Sequence, residues 1–325
     1  MQSNSVRRGS HRTGISSVEP TSTALPDVVA AYLRHIQTVK TPASFRVDSW
    51  YVRRIFRGDG IGGASLSAEF IEDITPGQVY EFLLTTVRAR GLSPKSANRY
   101  REIICRVFNW AVRYCGVRLA VNPGAMIEHF RERARVIRFL TIEDIATQLS
   151  AVSGESQLHG MVAALIYAGL RRSELLWLTP RDVDLASGRF GVLRICAKTV
   201  GGVYWQPKTG VNRVVPVSSA LLPHLRAYEE SADSGRSWYF PSPAGVRWDP
   251  DNFCRRLRAV NKAAGISWTC LDFRHTFGSQ LAMKGESLYK ISALLGNSPE
   301  ICRRHYAVLM PESLYDAVEF PSVGA

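Results

Sequence analysis

The chain has 325 residues, of which 46% are hydrophobic, enough to bury an ordinary core and long enough for two domains. Forty-one Lys and Arg against 28 Asp and Glu leave a formal net charge of +13, which favours a polyanionic partner, either nucleic acid or an anionic membrane surface. No stretch approaches the roughly 20 consecutive apolar residues of a membrane-spanning helix, so nucleic acid is the expected partner.

Residues 1–24, MQSNSVRRGSHRTGISSVEPTSTA, are rich in Ser, Thr, Arg and Gly and read as a flexible basic tail. Residues 25–120 then follow a helical rhythm. DVVAAYLRHIQTV places Val28, Tyr32 and Ile36 on one face, and PASFRVDSWYVRRIF adds Phe45, Trp50 and Ile55 as core candidates. The glycine-rich GDGIGGASLS interrupts the pattern. It resumes in TPGQVYEFLLTTVRARG and SPKSANRYREIICRVFNWAVRYCG, where Thr75 and Ser93 are natural N-caps followed by Pro. Four helices are expected, forming a compact all-α module. Their polar faces carry Arg46, Arg53, Arg54, Arg57, Lys95, Arg99, Arg101 and Arg106, interleaved with Tyr51 and Tyr100. Any one of these arginines suits a solvated face; as a set they suit a surface that follows phosphates.

A basic connector over 121–136 leads to a second domain, residues 137–325, opened by Thr141 as the cap of TIEDIATQL. Helix-period segments at 155–168 and 172–178 precede three short strand-like runs, GRFGVLRIC, VYWQP and RVVPVS. Helical patterns return across 250–264, 271–284, 286–295, 299–309 and 312–319. The predicted fold is mostly α: a helical N-terminal domain, then a mixed α/β domain that is mainly helical with a small antiparallel sheet.

Chemistry concentrates in four stretches of the second domain. In AALIYAGLRRSELLWL, Gly169 ends one helix and the next begins at once, so Arg171 falls on a constrained corner three residues before Glu174. In WQPKTGVNRVVPV, the Lys208-Thr209-Gly210 turn predicts a hairpin between VYWQP and RVVPV with Lys208 at its tip. TCLDFRHTFGSQLAMKG is an amphipathic helix with Phe273, Phe277 and Leu281 in a stripe and Arg274 and His275 beside it. In LLGNSPEICRRHY, Ser298 caps a helix starting at Pro299, on which Arg303 and Tyr306 are expected to share a face. One phenol with several fixed cations suits attack on a phosphodiester, because the phosphate's charge must be neutralised while the phenol becomes a covalent nucleophile. The six cysteines, Cys105, Cys115, Cys196, Cys254, Cys270 and Cys302, are scattered with no CxxC pair and no zinc-ligand spacing, so they read as free thiols. No apolar signal segment opens the chain, and a reducing cytoplasm is expected.

The order Arg171, Lys208, Arg274, Tyr306 resembles that of the tyrosine recombinases, the phage-integrase family, over nearly the full length of the chain. AGLRRSELLWL is similar to the family's first arginine box, PKTGVNRVVPV to its hairpin lysine, DFRHTF to its second arginine box and LLGNSPEICRRHY to its nucleophile box. Two positions depart. Leu271 stands where the family usually has the histidine of His-x-x-Arg, and Gly296-Asn297 stands for the usual Gly-His or Gly-Trp. His275 and His305 neighbour the family positions, but adjacent helical residues point about 100° apart, so His275 reads as structural, with a rebuilt site in which His275 supplies the donor missing at Leu271 as the alternative.

The resemblance implies a SAM-like core-binding domain at 25–120 and a catalytic domain at 137–325 in a two-domain, Xer-like site-specific recombinase. Tyr306 would attack a scissile phosphate to give a 3′-phosphotyrosyl link and a free 5′-hydroxyl. Arg171 and Arg274 would clamp the non-bridging oxygens, Lys208 would protonate the departing 5′ oxygen, Glu174 would hold Arg171, and Asn297 would add a phosphate contact. It further implies double-stranded DNA as partner, a synaptic tetramer, and no cofactor, ATP or metal. The segment PESLYDAVEF, with Leu314 and Val318 four apart, is similar to a final helix that docks on a neighbouring subunit. A phage, transposon or chromosomal setting is left open, although the short tail disfavours an added arm-binding domain. The alternatives are a type IB topoisomerase-like activity that relaxes one duplex, and a catalytically weakened DNA-binding member of the family.

Overall fold

The computed structural model describes residues 23–58, 64–132 and 137–309. The chain divides into two compact units, Met1–Ala134 and Arg135–Ala325. The basic tail lies outside the described residues except at its end, and PESLYDAVEF lies outside them entirely.

The first unit contains helices α1 (Leu25–Val39), α2 (Pro42–Phe56), α3 (Pro76–Arg90) and α4 (Pro94–Tyr114). Proline opens α2, α3 and α4 behind Thr41, Thr75 and Ser93, each of which accepts a backbone N–H at the third helical residue. Proline is well placed there, since its missing donor has no intrahelical partner at that position. Val28, Tyr32 and Ile36 of α1 pack with Val52, Ile55, Ile103 and Val107 in one core.

Trp50 corrects the expectation that it joins this core. It is exposed, with Tyr51 against one edge and the Arg54 guanidinium 4.8 Å from its ring centre. Several of the arginines expected on a solvated or phosphate-following surface are engaged within the unit. Arg99 and Arg106, together with Lys40, surround the buried carboxylate of Asp48. Arg101 donates to the carbonyls of Ile127 and Ala125. Asn98 exchanges hydrogen bonds with the Phe130 backbone, so the first part of the connector is tied to α4.

The second unit is built around α6 (Ser156–Ala168), which follows α5 (Ile142–Ala151). Met161 to Ile166 are all buried, and a helix that is apolar on every side belongs in a core. Gly169 ends α6 with φ +62°, a left-handed conformation that side chains resist, and an added Cβ would lie 2.8 Å from Phe277 Cγ. The chain can therefore reverse at once into α7 (Arg172–Leu176).

Strands β1 (Val183–Asp184), β2 (Val192–Ile195), β3 (Lys198–Val200), β4 (Val203–Trp205) and β5 (Arg213–Pro216) follow. They form two sheets, β1-β2-β5 and β3-β4, all antiparallel. The predicted hairpin between VYWQP and RVVPV does not form. β4 pairs with β3 across the Gly201-Gly202 turn, while β5 pairs with β2 in the register Leu193 to Val215. Alternation explains the preference: Leu193, Ile195, Val215 and Val217 all point into the core, whereas β4 has no comparable inward face. Lys208 accordingly sits on the Pro207–Gly210 turn that joins the two sheets.

The remaining helices are α8 (Leu222–Ser231), α9 (Pro250–Ala263), α10 (Cys270–Met283), α11 (Leu288–Leu295) and α12 (Pro299–Tyr306). Helix α10 packs along α6, and α11 and α12 pack against α10.

Candidate active site

Glu174 is the centre of the site, with its side chain fully buried in α7. Its Oε2 accepts the Arg171 backbone N–H at 2.8 Å, which caps the helix, while its Oε1 accepts Arg171 Nη1 at 2.7 Å. Arg213 at the start of β5 binds the same carboxylate in a two-pronged fork, at 2.9 and 2.7 Å. Burial would raise the Glu174 pKa, but the hydrogen bonds and charge of Arg213, with the help of Arg171, outweigh it and hold the acid down at about 2.

Arg171 uses its other prong on the α11–α12 corner. Its Nη2 donates to the Gly296 carbonyl at 2.6 Å and to Asn297 Oδ1 at 2.7 Å. Arg274, buried in α10, donates to the Gly169 carbonyl and the Leu295 carbonyl, both at 2.6 Å, and to the same Asn297 Oδ1 at 3.0 Å. One amide oxygen therefore joins two guanidinium groups, and the Asn297 amide nitrogen remains available to donate. Burial first, then the charge of Arg171, lowers the Arg274 pKa to about 10, so it stays cationic at neutral pH.

Tyr306 ends α12 with 1% of its surface exposed, packed among Ala282, Ile291, Leu295 and Cys302. Its ring lies on α10 at Gly278, where a Cβ would come within 2.7 Å of the hydroxyl, so a bare backbone is required there. His275 is one helical turn back on the same face, and its Nδ1 is 3.1 Å from the Tyr306 hydroxyl. The contact favours the alternative reading of the sequence, in which His275 serves the site, over a structural His275; helix α12, which lands on α10, supplies the hydroxyl it faces. Burial, with some help from the His305 charge, lowers the His275 pKa to about 4. Burial also raises Tyr306 to about 12, despite the opposing charge of Arg274. At neutral pH the pair is therefore a phenol facing a neutral imidazole, a geometry from which the ring can accept the proton.

The structure thus brings together Arg171, Glu174, Arg274, His275, Asn297 and Tyr306. It does not bring in Leu271, which is exposed on the first turn of α10, or Arg303, which is exposed and paired with Glu300 instead of sharing the Tyr306 face. Lys208 is exposed and makes no hydrogen bond or ion pair among the described residues, whereas Lys198 on β3 is tied to Asp182. Arg213 was missed by the sequence reading. Its signal was a charged residue on an inward position of an otherwise apolar strand. No group of His, Cys, Asp and Glu suited to holding a metal occurs among the described residues.

The sequence profile of the phage integrase family matches residues 135–311. Over 299 residues the chain is 27% identical to tyrosine recombinase XerC of Xanthomonas campestris pv. campestris, covering 90% of this chain and 86% of that protein. It is 26% identical over 311 residues to tyrosine recombinase XerA of Thermococcus onnurineus, covering 91% and 95%. The fold is similar to that of the Tn1549 transposon integrase in complex with a circular intermediate DNA, with TM-score 0.70, 19% identity and coverage of 88% and 95%. It is also similar to a lambda integrase dimer bound to a COC′ core site, with TM-score 0.68, 18% identity and coverage of 93% and 81%. The relatives matched are named tyrosine recombinases, and the fold is shared with integrases. The chain belongs to the phage integrase family.

Removing Glu174 would leave Arg171, Arg213 and Arg274 mutually repelling in a buried site. Glu174→Ala is expected to lower folding stability at pH 7 by about 3–5 kcal/mol, measured by urea denaturation. The folded pKa lies below the ordinary carboxylate value, so this contribution is complete above pH ~4.3 and is lost only as pH falls through about 2. The gap between the two proteins should therefore stay constant from pH 8 to 5; a gap under about 1 kcal/mol would contradict the assignment.

Proposed function

We propose that the protein is a site-specific DNA recombinase that cuts and rejoins strands through a 3′-phosphotyrosyl intermediate on Tyr306. The observation that carries this reading is the single Asn297 oxygen joining Arg171 and Arg274 beside a buried tyrosine whose hydroxyl faces a neutral histidine. A phosphodiester replacing that oxygen between the guanidinium groups would have its charge neutralised as the pentavalent transition state forms. Asn297 would then turn its amide N–H to a phosphate oxygen. Glu174 and Arg213 would position Arg171 without touching DNA.

His275 takes the proton of Tyr306 in this scheme, the role that Leu271 cannot fill. Lys208, free on its turn, would protonate the departing 5′ oxygen. Because Tyr306 is buried, engagement of DNA requires α12 to shift on α10. The first unit would supply backbone contacts through exposed cations such as Arg46, Arg53, Arg57 and Lys95. The family match and the relatives named tyrosine recombinase favour strand exchange over topoisomerase-like relaxation or a weakened DNA-binding role.

A lambda integrase tetramer bound to a Holliday junction shares this fold at TM-score 0.67 and 17% identity, over 86% of this chain and 78% of that one. A tetramer on paired duplexes is the corresponding assembly proposed here. No described helix is long and apolar enough to cross a membrane.

Two experiments test the scheme on a nicked suicide duplex. Wild-type protein should form a covalent band on denaturing gels, undiminished in EDTA, and Tyr306→Phe should form none while still binding the site. A covalent band persisting in Tyr306→Phe would move the nucleophile elsewhere, with Tyr315 outside the described residues the next suspect. For His275, single-turnover cleavage should be flat from pH 8 to about 5 and fall as the ring protonates near 4. His275→Ala should slow cleavage by about 10²-fold with unchanged melting temperature. A loss under about three-fold would return His275 to a structural role.

A further inference from the structure

Helix α7, which carries Glu174, runs straight into Trp177, a buried ring whose backbone N–H closes the helix on the Glu174 carbonyl. The next residue is held from the far side of the chain: the Leu178 carbonyl accepts the Tyr239 N–H at 2.7 Å, and Trp238 meets Trp177 edge-on with 5.3 Å between ring centres. Trp205, the last residue of β4, lies flat against Trp177, their centres 5.6 Å apart and their planes inclined by only 11°. Arg247 places its guanidinium 4.9 Å from the Trp177 ring centre.

A second tie runs beside the stack. Lys198 pairs with Trp205 across the β3–β4 hairpin, sets its ammonium 5.9 Å from the Trp205 ring centre, and forms an ion pair with Asp182 in the short turn after Trp177. Beyond Trp205 the chain alternates: Gln206 and Lys208 are exposed, whereas Pro207 is buried and its ring fixes φ. The Pro207 carbonyl accepts the Gly210 N–H at 2.8 Å, which closes the turn under Lys208. The downstream foot is fastened as well. Asn212 Oδ1 accepts the Ala197 N–H at 2.9 Å, and β5 then begins at Arg213, whose guanidinium is bound to Glu174.

We infer that Trp205 is a positioning residue for Lys208: stacked on Trp177, it roots the Lys208 turn to the same short helix that holds Arg171 and Glu174, and so sets where the ammonium stands relative to the phosphate clamp. A lysine ammonium rides on a long flexible stem, so only a fixed root restricts its reach. Aromatic pairs prefer particular ring geometries, and the stack therefore fixes orientation as well as distance. Gln206 cannot replace it, because its one side-chain bond, from the exposed Tyr204 hydroxyl at 3.1 Å, stays within the hairpin. The inference rests on the recombinase reading of Lys208. In that step the Tyr306 oxygen bonds to phosphorus, the P–O5′ bond breaks, and a proton passes from Lys208 Nζ to the departing 5′ oxygen. A displacement of the turn by a fraction of its own width would leave the clamp intact and slow that proton transfer alone.

A sulfur leaving group separates positioning from packing. Thiols lose their proton at about pH 8.5, far more readily than alcohols, so a suicide duplex with a bridging 5′ sulfur at the scissile phosphate expels a thiolate without help from an acid. Single-turnover cleavage of oxygen and sulfur duplexes is compared across full-length variants. Lys208→Ala should lose about 10²-fold or more on oxygen and little on sulfur. Trp205→Ala should lose about ten-fold on oxygen and under about two-fold on sulfur, with no further loss on oxygen once Lys208→Ala is present. Trp205→Phe, which keeps a flat ring, should recover most of the rate. If Trp205→Ala does not fold, Trp205→Leu takes its place, with Phe faster than Leu on oxygen and the two equal on sulfur. Equal losses on both duplexes, or no loss on oxygen, would overturn the positioning role and leave Trp205 as packing. Failure of sulfur to rescue Lys208→Ala would remove Lys208 as the acid and the inference with it, whereas absence of any covalent product from wild type on both duplexes would overturn the recombinase reading itself.

Discussion

The site depends on one buried carboxylate shared by two arginines. Glu174 caps α7 through the Arg171 backbone, holds the Arg171 side chain and receives the fork of Arg213 from β5. Without it, Arg171 and Arg213 would repel each other and Arg274 in a low-dielectric interior, where unpaired charges are costly. With it, three cations can remain near a space that a phosphate would fill. Arg171 is thereby aimed before any DNA arrives, and preorganised charge is what a developing negative transition state needs. The Asn297 oxygen completes the arrangement by binding both guanidinium groups that a phosphate would later take.

Much of this organisation is readable from local sequence. Thr75, Ser93, Thr141 and Ser298 cap helices as their types and the residues after them predict, because capping depends on neighbours within one turn. Gly169 ends α6 for the same local reason. Strand pairing was less legible. The choice between β4 and β2 as partner of β5 depends on which runs bury alternate side chains in the core, a property of the assembled domain. Arg213 and the His275–Tyr306 contact also escaped local reading, since each joins residues far apart in sequence. Trp50 failed for the opposite reason: its size suggested burial, but a large aromatic ring can also rest half-open beneath an arginine.

The departures from the family pattern at Leu271 and Asn297 become intelligible in this arrangement. Leu271 is on the exposed first turn of α10, where an aliphatic side chain leaves the buried charges untouched. In the proposed scheme the proton of Tyr306 would be accepted one turn later, by His275, which burial keeps neutral. Asn297 has an acceptor for the arginines and a donor to spare, so it can serve both the empty and the DNA-bound state. The same burial that encloses the phenol also keeps it protonated, and in the proposed scheme α12 would have to move to present it to DNA.

In the proposed reaction Arg171 and Arg274 act by neutralising phosphate charge. This role is tested most directly by single-turnover cleavage of a suicide duplex carrying either a phosphate or an uncharged methylphosphonate at the scissile position. With phosphate, Arg171→Ala and Arg274→Ala should each lose about 10²-fold or more in rate. With methylphosphonate, where one charged oxygen is already removed, most of that loss should disappear for at least one arginine. An equal loss on both substrates would contradict the account and assign the arginines to holding the fold rather than the phosphate.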